Sequence, residues 1–181
     1  TVELVNALRQ GGYVIVMRHP SSPLAPPDRS QADPGNAELE RQLDDKGRTT
    51  ARDMGEAFRR LRIPVGRIYT SPTYRARESI RLAQLGAATV IPELDEGPQG
   101  MLANADSGRS GWLQRAATTA PPVGTNTLIV THTPNLAGAF GPLAKDVAAG
   151  EALIFHPNST ATPELVARVR IEDWPTLRVG P

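Results

Sequence analysis

Short apolar runs bounded by turn residues alternate along this chain with longer stretches of helical periodicity. An apolar run of four to eight residues between Gly, Pro or polar residues is typical of a buried strand. Such runs predict strands at residues 13–17, 67–70, 88–91, 126–130, 151–155 and 164–174, the last of which alternates between apolar and polar residues. The strand at 13–17 is predicted to be the central one.

Helices are predicted between these strands. Leu43, Met54, Phe58 and Leu61 recur at helical spacing, and Asp44 stands where an N-cap is expected. A second helix is predicted to follow Pro72 and to end at Gly86. Further helical segments are predicted at 112–119 and between residue 132 and about residue 149, while residues 92–111 are predicted to be loop.

Strands that alternate with helices predict an α/β fold with a mostly parallel central sheet and helices on both faces. The length fits a single domain over 1–181. Residues 20–42 begin with a stretch rich in Pro, Ser and Asp and are predicted to be a long loop. Long ordered loops usually serve a function.

Polar pairs follow three of the predicted strands: Arg18-His19, Thr70-Ser71 and Thr131-His132. Parallel strands end at the same edge of a sheet, and ligand sites of open α/β sheets lie outside those carboxyl ends. We therefore expect these pairs to meet in one crevice, although over 100 residues separate the first from the last.

The chain has three histidines, and a histidine at a strand end is often only a hydrogen-bonded structural residue. We keep that interpretation for His156, which precedes Pro157 and has no cationic neighbour before Arg168. The spacing shows no HxH or HExxH pattern, and Arg18 beside His19 would repel a divalent cation. No metal site is therefore predicted.

Arg18 and Arg75 suit an anion, because a guanidinium offers a planar fork to phosphate oxygens. Arg75 stands in the first turn of its predicted helix, where the helix dipole favours acidic residues. This local misfit indicates a functional role. The alternative is a surface salt bridge from Arg75 to Glu78.

A neutral imidazole, two arginines and a second histidine are the groups needed to transfer a phosphoryl group through histidine without a metal. An acid for the leaving oxygen is also required. The stretch "PELDEG" offers Glu93, Asp95 and Glu96 after a predicted strand, although a solvated acidic turn explains these residues equally well.

Four motifs, in order, resemble the histidine phosphatase superfamily, the phosphoglycerate-mutase-like branch: "VMRHP", "LDDKGRTTARDMGEAF", "YTSPTYRARESI" and "LIVTHTPNL". The resemblance spans residues 13 to about 156, and the Pro-rich loop and "GEALIF" are similar to the small bacterial phosphatases of this branch. The sequence departs from the family pattern at Pro20, in "HTP" after His132, and at Thr50 and Glu78.

The resemblance implies a nucleophile, His19, with Glu96 and His132 as further catalytic residues. It also implies a phosphate pocket of Arg18, Ser22, Arg75 and His132, with 20–42 as an active-site loop. Leu94-Asp95-Glu96 fits the Leu-x-Glu acid of the mutase-like members. No metal and no cofactor are implied.

The implied activity is a metal-independent phosphatase that acts through a phosphohistidine on His19. The alternatives are a phosphomutase of the same family and a non-catalytic phosphate-binding protein. The substrate would be a phosphorylated small molecule or a phosphoprotein. Arg29, Arg41, Lys46 and Arg109 could add contacts to an anionic substrate, but each is more often a solvated charge.

The composition limits the classes of partner that the chain is expected to bind. The formal net charge of +1 does not favour nucleic acid, and no apolar run reaches the roughly 18 residues of a membrane helix. The absence of Cys excludes disulfides and thiolate catalysis. Because the sequence starts at Thr1, removal of a signal peptide is left as an alternative. Both a cytoplasmic and a periplasmic location are therefore compatible with the sequence. The oligomeric state is not indicated.

Overall fold

A computed structural model describes residues 1–97, 108–158 and 160–181. Six strands in these residues form one sheet in the order β3-β2-β4-β1-β5-β6. The strands are β1 (Val14–Arg18), β2 (Val65–Thr70), β3 (Thr89–Val90), β4 (Asn126–Thr131), β5 (Ala152–Phe155) and β6 (Leu165–Val169).

Helices connect and cover the strands. The α-helices are α1 (Val2–Gln10), α2 (Asp45–Leu61), α3 (Tyr74–Ala83), α4 (Gly108–Ala117) and α5 (Thr133–Phe140). Short 3-10 helices span Pro92–Leu94, Gly141–Ala144 and Ile171–Thr176.

The sheet is mostly parallel, as predicted. Strand β4 pairs in parallel with β1 and β2, and β2 pairs in parallel with β3, while β5 and β6 add an antiparallel side. Strands β1 and β4 lie in the middle. Their carboxyl ends are in register, with Arg18 opposite Thr131. The parallel half thus brings its strand ends to one edge.

Alternate residues of β1 face opposite sides of the sheet, as the period of a strand requires. Ile15 and Met17 belong to a core with Phe58 and Trp174, which α1, α2, α3 and the last 3-10 helix help to build. Val14 and Val16 belong to the opposite core, which includes residues of α4 and α5. Helices on both faces are therefore confirmed, and they make β1 a rigid, buried support for the residues that follow it.

The predicted cap of α2 is confirmed, because the Asp44 carboxylate accepts a hydrogen bond from the Gly47 amide at 2.8 Å. The predicted end of α3 at Gly86 is wrong. The helix ends at Ala83, and Gln84 takes the left-handed conformation with φ 53° and donates to the Ile80 carbonyl. The left-handed residue that ends α3 is therefore not a glycine.

Two helical segments differ from the sequence prediction. Helix α1 was not predicted, although Val5 and Leu8 are fully buried on one of its faces. Helix α4 begins at Gly108, four residues before the predicted segment at 112–119, and Pro92–Leu94 forms a 3-10 turn within the predicted loop 92–111. The part of that loop at 98–107 lies outside the described residues. Residues 20–42 contain neither helix nor strand, as predicted.

Candidate active site

The ends of β1 and β4 bring two imidazole rings together. His19 directly follows β1, and its amide donates to the Thr131 carbonyl at 3.0 Å. His132 directly follows β4. The two ring centroids lie 5.3 Å apart, and both residues are buried. Residues more than 100 positions apart thus share one site because parallel strands end at one edge.

Pro20 determines the tautomer of His19. The Pro20 carbonyl lies 2.8 Å from Nδ1 of His19 and can only accept, so Nδ1 carries the proton. In the neutral ring, Nε2 then has a free lone pair. Pro20 donates no amide hydrogen bond itself, so its buried position leaves no donor unsatisfied. The departure from the family's usual glycine is therefore compatible with a well-oriented imidazole.

Arg75 connects the polar groups of the site. Its Nε donates to Nε2 of His19 at 3.3 Å, and its Nη2 donates to Nδ1 of His132 at 3.3 Å and to Oε1 of Glu96 at 3.0 Å. The residue is 4% exposed. The alternative of a surface bridge to Glu78 is wrong, because Glu78 pairs with Arg81. The misfit of an arginine in the first turn of α3 is explained by these contacts.

The same contacts bear on metal binding. The guanidinium occupies the space between two imidazole nitrogens and a carboxylate, which are the ligands that a divalent cation would use. Among residues 1–97, 108–158 and 160–181, no group of three or more His, Cys, Asp or Glu side chains is arranged to hold a metal ion.

Arg75 determines the tautomer of His132, and the Ser71 hydroxyl accepts the resulting N–H. Nδ1 of His132 accepts from Arg75, so the neutral ring carries its proton on Nε2, which donates to the Ser71 hydroxyl at 2.8 Å. Ser71 directly follows β2, so a third strand end contributes to the site. The lone pair of Nδ1 therefore faces the same guanidinium as that of His19.

Both imidazoles are neutral in the ligand-free protein. Burial, which outweighs the hydrogen bond to Pro20, together with the charges of Arg75, Arg18 and Arg41 lowers the pKa of His19 from 6.5 to about 3. Burial, followed by the charge of Arg75, lowers the pKa of His132 to about 2. Neutral His19 is ready to act as a nucleophile. His132 needs a bound anion before it can hold a second proton.

Glu96 is the member of the acidic cluster whose carboxylate reaches Arg75 and His132. Beside its bond to Arg75, its Oε2 lies 4.0 Å from Nδ1 of His132. The turn is held in place by Asn135 of α5, whose Nδ2 donates to the backbone carbonyls of Asp95 at 2.9 Å and Glu93 at 3.3 Å. The histidine-bearing strand end and the acidic turn are thus fastened to each other.

Arg18 and Ser22 have partners outside this cluster. Arg18 is half-buried and donates from Nη1 to the Val147 carbonyl at 3.1 Å. The Ser22 hydroxyl donates to the Gln42 carbonyl at 2.7 Å, which braces the two ends of loop 20–42 against each other. The phosphate-binding role that the resemblance implies for Ser22 stays a prediction.

Loop 20–42 is fastened to α3 beside Arg75. The Glu40 carboxylate accepts from the Tyr74 amide at 3.1 Å, and the Asp33 carboxylate accepts from the Tyr74 hydroxyl at 3.0 Å. Glu40 thus supplies the acidic group that the first turn of α3 lacks in its own sequence. Sequence reasoning missed this contact because Glu40 and Tyr74 lie 34 residues apart.

Arg41 is a third cation near the two histidines, and the sequence prediction named it only among four residues that could contact an anionic substrate. It is half-buried, and its guanidinium donates to the Pro23 carbonyl at 2.8 Å and to the Ser22 carbonyl at 3.4 Å. Its charge lowers the pKa of both His19 and His132. Its place next to the "QLDDKG" motif was the available signal.

His156 lies apart from the other two histidines. It is exposed, and its ring packs against that of Tyr13 with centroids 5.3 Å apart. The structural interpretation of His156 agrees with this position.

A comparison of the chain with protein-family models decides its family. Residues 14–107 match the model of the histidine phosphatase superfamily (branch 1). The chain belongs to the histidine phosphatase superfamily. No curated protein matches it in sequence.

Solved structures show the same fold at low sequence identity. The protein histidine phosphatase SixA complexed with tungstate is 19% identical with a TM-score of 0.63, over 89% of this chain and 98% of that one. An open reading frame product of Mycobacterium tuberculosis is 18% identical with a TM-score of 0.58, over 86% and 96% of the two chains. A mutant phosphoserine phosphatase from Entamoeba histolytica in complex with phosphoserine is 12% identical with a TM-score of 0.55, over 86% and 95%.

The superfamily comprises phosphatases and mutases. Membership therefore supports a phosphatase that binds phosphorylated molecules.

In the part of the chain that the structure describes, no helix is long and apolar enough to cross a membrane.

Proposed function

We propose that this protein hydrolyses phosphate monoesters without a metal, through a phosphohistidine formed on Nε2 of His19. The observation that carries the proposal is the contact of Arg75 with three groups: the unprotonated Nε2 of His19, the unprotonated Nδ1 of His132 and the Glu96 carboxylate. A nucleophile, an anion-binding guanidinium and an acid then meet at one point.

In the first step, the dianionic phosphate group of the ester substrate binds to Arg18 and Arg75. Arg75 then donates its hydrogen bonds to phosphate oxygens and no longer to Nε2 of His19. Nε2 attacks phosphorus, the bond from phosphorus to the ester oxygen breaks, and its electron pair leaves with that oxygen. Phosphate oxygens displace the Glu96 carboxylate from Arg75. Glu96 then takes up one proton from solvent and passes it to the departing oxygen. The Pro20 carbonyl stabilises the imidazolium form through Nδ1–H, because the ring becomes cationic when phosphorylated.

In the second step, water attacks phosphorus while the Glu96 carboxylate takes its proton. The bond between nitrogen and phosphorus breaks, its electron pair returns to Nε2, and inorganic phosphate leaves. Negative charge on the phosphoryl oxygens raises the proton affinity of His132, so its Nδ1 shares a proton with one of them in both steps.

The presence of Glu96 favours an O-phosphate ester as substrate. An alkoxide is a poor leaving group and needs a proton, whereas the imidazole of a phosphohistidine leaves without a strong acid. The structural neighbours include both a protein histidine phosphatase and a phosphoserine phosphatase, so both substrate classes occur on this fold. We propose that loop 20–42 forms one wall of the substrate site, because Glu40 and Asp33 fasten it beside Arg75.

The proposal is tested with p-nitrophenyl phosphate in the presence of EDTA. We expect His19→Asn to abolish phosphate release and His156→Asn to leave it unchanged, since His156 packs on Tyr13. A rapid alkaline quench, in which phosphohistidine survives, should show a labelled protein with native His19 only. Full activity of His19→Asn, or complete loss in EDTA, contradicts the proposal.

A substrate panel separates this function from its alternatives. Sugar phosphates, phosphoserine and a phosphohistidine protein should differ in kcat/KM, with the esters ahead if Glu96 acts as an acid. An isomerised product in place of free phosphate would instead identify a mutase. Tight phosphate binding without turnover of any substrate would identify a binding protein.

A further inference from the structure

The guanidinium of Arg18 is oriented by a segment that enters β5. Arg18 Nη1 donates to the carbonyl of Val147 at 3.1 Å, in the segment between the 3-10 helix Gly141–Ala144 and β5. The same segment binds the backbone at the end of β1. Gly150 donates to the His19 carbonyl at 3.0 Å, and the Arg18 amide donates to the Glu151 carbonyl at 3.1 Å. The segment is thus tied both to the Arg18 guanidinium and to the backbone at the end of β1.

An ion pair between a buried carboxylate and a partly exposed arginine fixes this segment. Oε1 of Glu151 accepts from the Ala148 amide at 2.8 Å, and Oε2 accepts from Nε of Arg168 at 2.7 Å. The Glu151 side chain is 8% exposed. Arg168, on β6, also donates from Nη1 to the Lys145 carbonyl at 2.8 Å. Glu151 and Arg168 thus hold both sides of Val147.

The carboxylate is in its ionised form at neutral pH. Burial raises the pKa of Glu151, but the hydrogen bonds from Arg168 and Ala148 and the Arg168 charge outweigh it, so the pKa lies below its ordinary value of 4.5. A charged group is rarely placed in such a position unless it is paired, and pairing alone contributes little net stability. The fold could cover this segment with apolar side chains instead, which suggests a role in orientation.

We propose that Glu151 is a positioning residue for Arg18: together with Arg168 it holds the Val147 carbonyl where it aims the Arg18 guanidinium at the phosphate. Glu151 acts through Arg18 and does not contact the substrate. This inference rests on the proposed function, in which Arg18 binds the phosphoryl group. Misplacement of a binding group by about 1 Å can cost ~10²-fold in rate, so a distant carboxylate can matter for catalysis.

The test is a double-mutant cycle between Glu151→Gln and Arg18→Ala, with p-nitrophenyl phosphate turnover and inorganic phosphate binding as readouts. Gln keeps the size of the side chain and an acceptor for the Ala148 amide but loses the charge that pairs with Arg168. With native Arg18 we expect kcat/KM to fall at least ~10-fold and phosphate to bind more weakly. In the Arg18→Ala background, Glu151→Gln should cause no further fall, because the group it positions is gone.

Glu78→Gln is the matched control. Glu78 is also 8% exposed in its side chain and pairs with an arginine, Arg81, on the outer part of α3. The Glu78→Gln variant should leave kcat/KM within about twofold, which shows that loss of the charge of a buried, paired carboxylate is not enough by itself. If Glu151→Gln does not fold, judged by circular dichroism, the same cycle is run with Arg168→Lys.

Two results overturn the inference: an equal fall of kcat/KM in both Arg18 backgrounds, which indicates a general structural role, or no fall with native Arg18. Failure of the proposed function looks different. In that case Arg18→Ala by itself would leave turnover and phosphate binding unchanged.

Discussion

Nε of Arg75 lies 3.3 Å from Nε2 of His19. On the proposed function, the cation that binds phosphate therefore covers the lone pair of the nucleophile while the site is empty. The same guanidinium reaches Nδ1 of His132 and the Glu96 carboxylate. Phosphate oxygens can replace all three as partners, and their arrival frees the nucleophile at the moment when the electrophile is in place. Binding and activation are thereby linked through one side chain.

Arg75→Lys should lower kcat/KM for p-nitrophenyl phosphate by ~10²–10³-fold, because an ammonium keeps the charge but cannot direct several bonds at once. Arg77→Lys is the control two residues along α3. Arg77 is half-exposed and donates to the Pro72 carbonyl, so its replacement should leave the rate unchanged. Equal losses in the two variants would show that the effect comes from α3 in general.

Glu96→Gln should slow hydrolysis by an amount that depends on the leaving group. An alkyl phosphate needs a proton on its leaving oxygen and should lose ~10²–10⁴-fold in kcat, whereas p-nitrophenyl phosphate should lose less in its first step. Asp95→Asn and Glu93→Gln are controls from the same turn. A leaving-group dependence in Asp95→Asn and not in Glu96→Gln would move the acid to Asp95.

Arg41→Ala should weaken inorganic phosphate binding and raise KM by ~10–100-fold, the loss expected from one charge-assisted hydrogen bond. The expectation follows from the effect of the Arg41 charge on both imidazoles. Arg29→Ala, an exposed arginine on the same loop, should change neither quantity. Unchanged phosphate binding in Arg41→Ala would restrict Arg41 to holding the Ser22 and Pro23 carbonyls.

Stability should fall as the pH drops from about 7.5 to about 5, because the unfolded chain binds protons on His19 and His132 below 6.5 while the folded chain excludes them down to about 3 and about 2. The folded pKa values are depressed, so the unfolded state gains protons first and is favoured in this window. Each of these two histidines should make the free energy of unfolding about 2 kcal/mol lower at about pH 5 than at about pH 7.5.

Urea unfolding at the two pH values measures this effect. The window lies above 4.5, the ordinary pKa of the Glu151 carboxyl, which therefore contributes little to the difference. The double variant His19→Asn, His132→Asn should lose most of the pH dependence, and His156→Asn should keep it. An unchanged pH dependence in the double variant would mean that titratable groups other than His19 and His132 cause the loss of stability.

Local sequence determined the elements that meet at the site. The apolar runs of β1 and β4 stop at Arg18-His19 and Thr131-His132, and Asp44 caps α2 in sequence and in structure, because capping and strand burial depend on neighbouring residues. The alternation of strands and helices was enough to predict a mostly parallel sheet with helices on both faces. Helix α1 was missed because nine residues make only about two and a half turns, over which few apolar positions can repeat.

Only the tertiary structure decided which polar groups meet and in what form. Arg75 could pair with Glu78 on its own helix, but the parallel strands end at one edge of the sheet and place Glu96 and two imidazoles within reach of Arg75. The tautomers of His19 and His132 follow from the Pro20 carbonyl and the Arg75 guanidinium, and their low pKa values follow chiefly from burial. Glu151 shows the same limit: its effect on Arg18 passes through Val147, and no pattern in one sequence encodes a contact through a carbonyl on another segment.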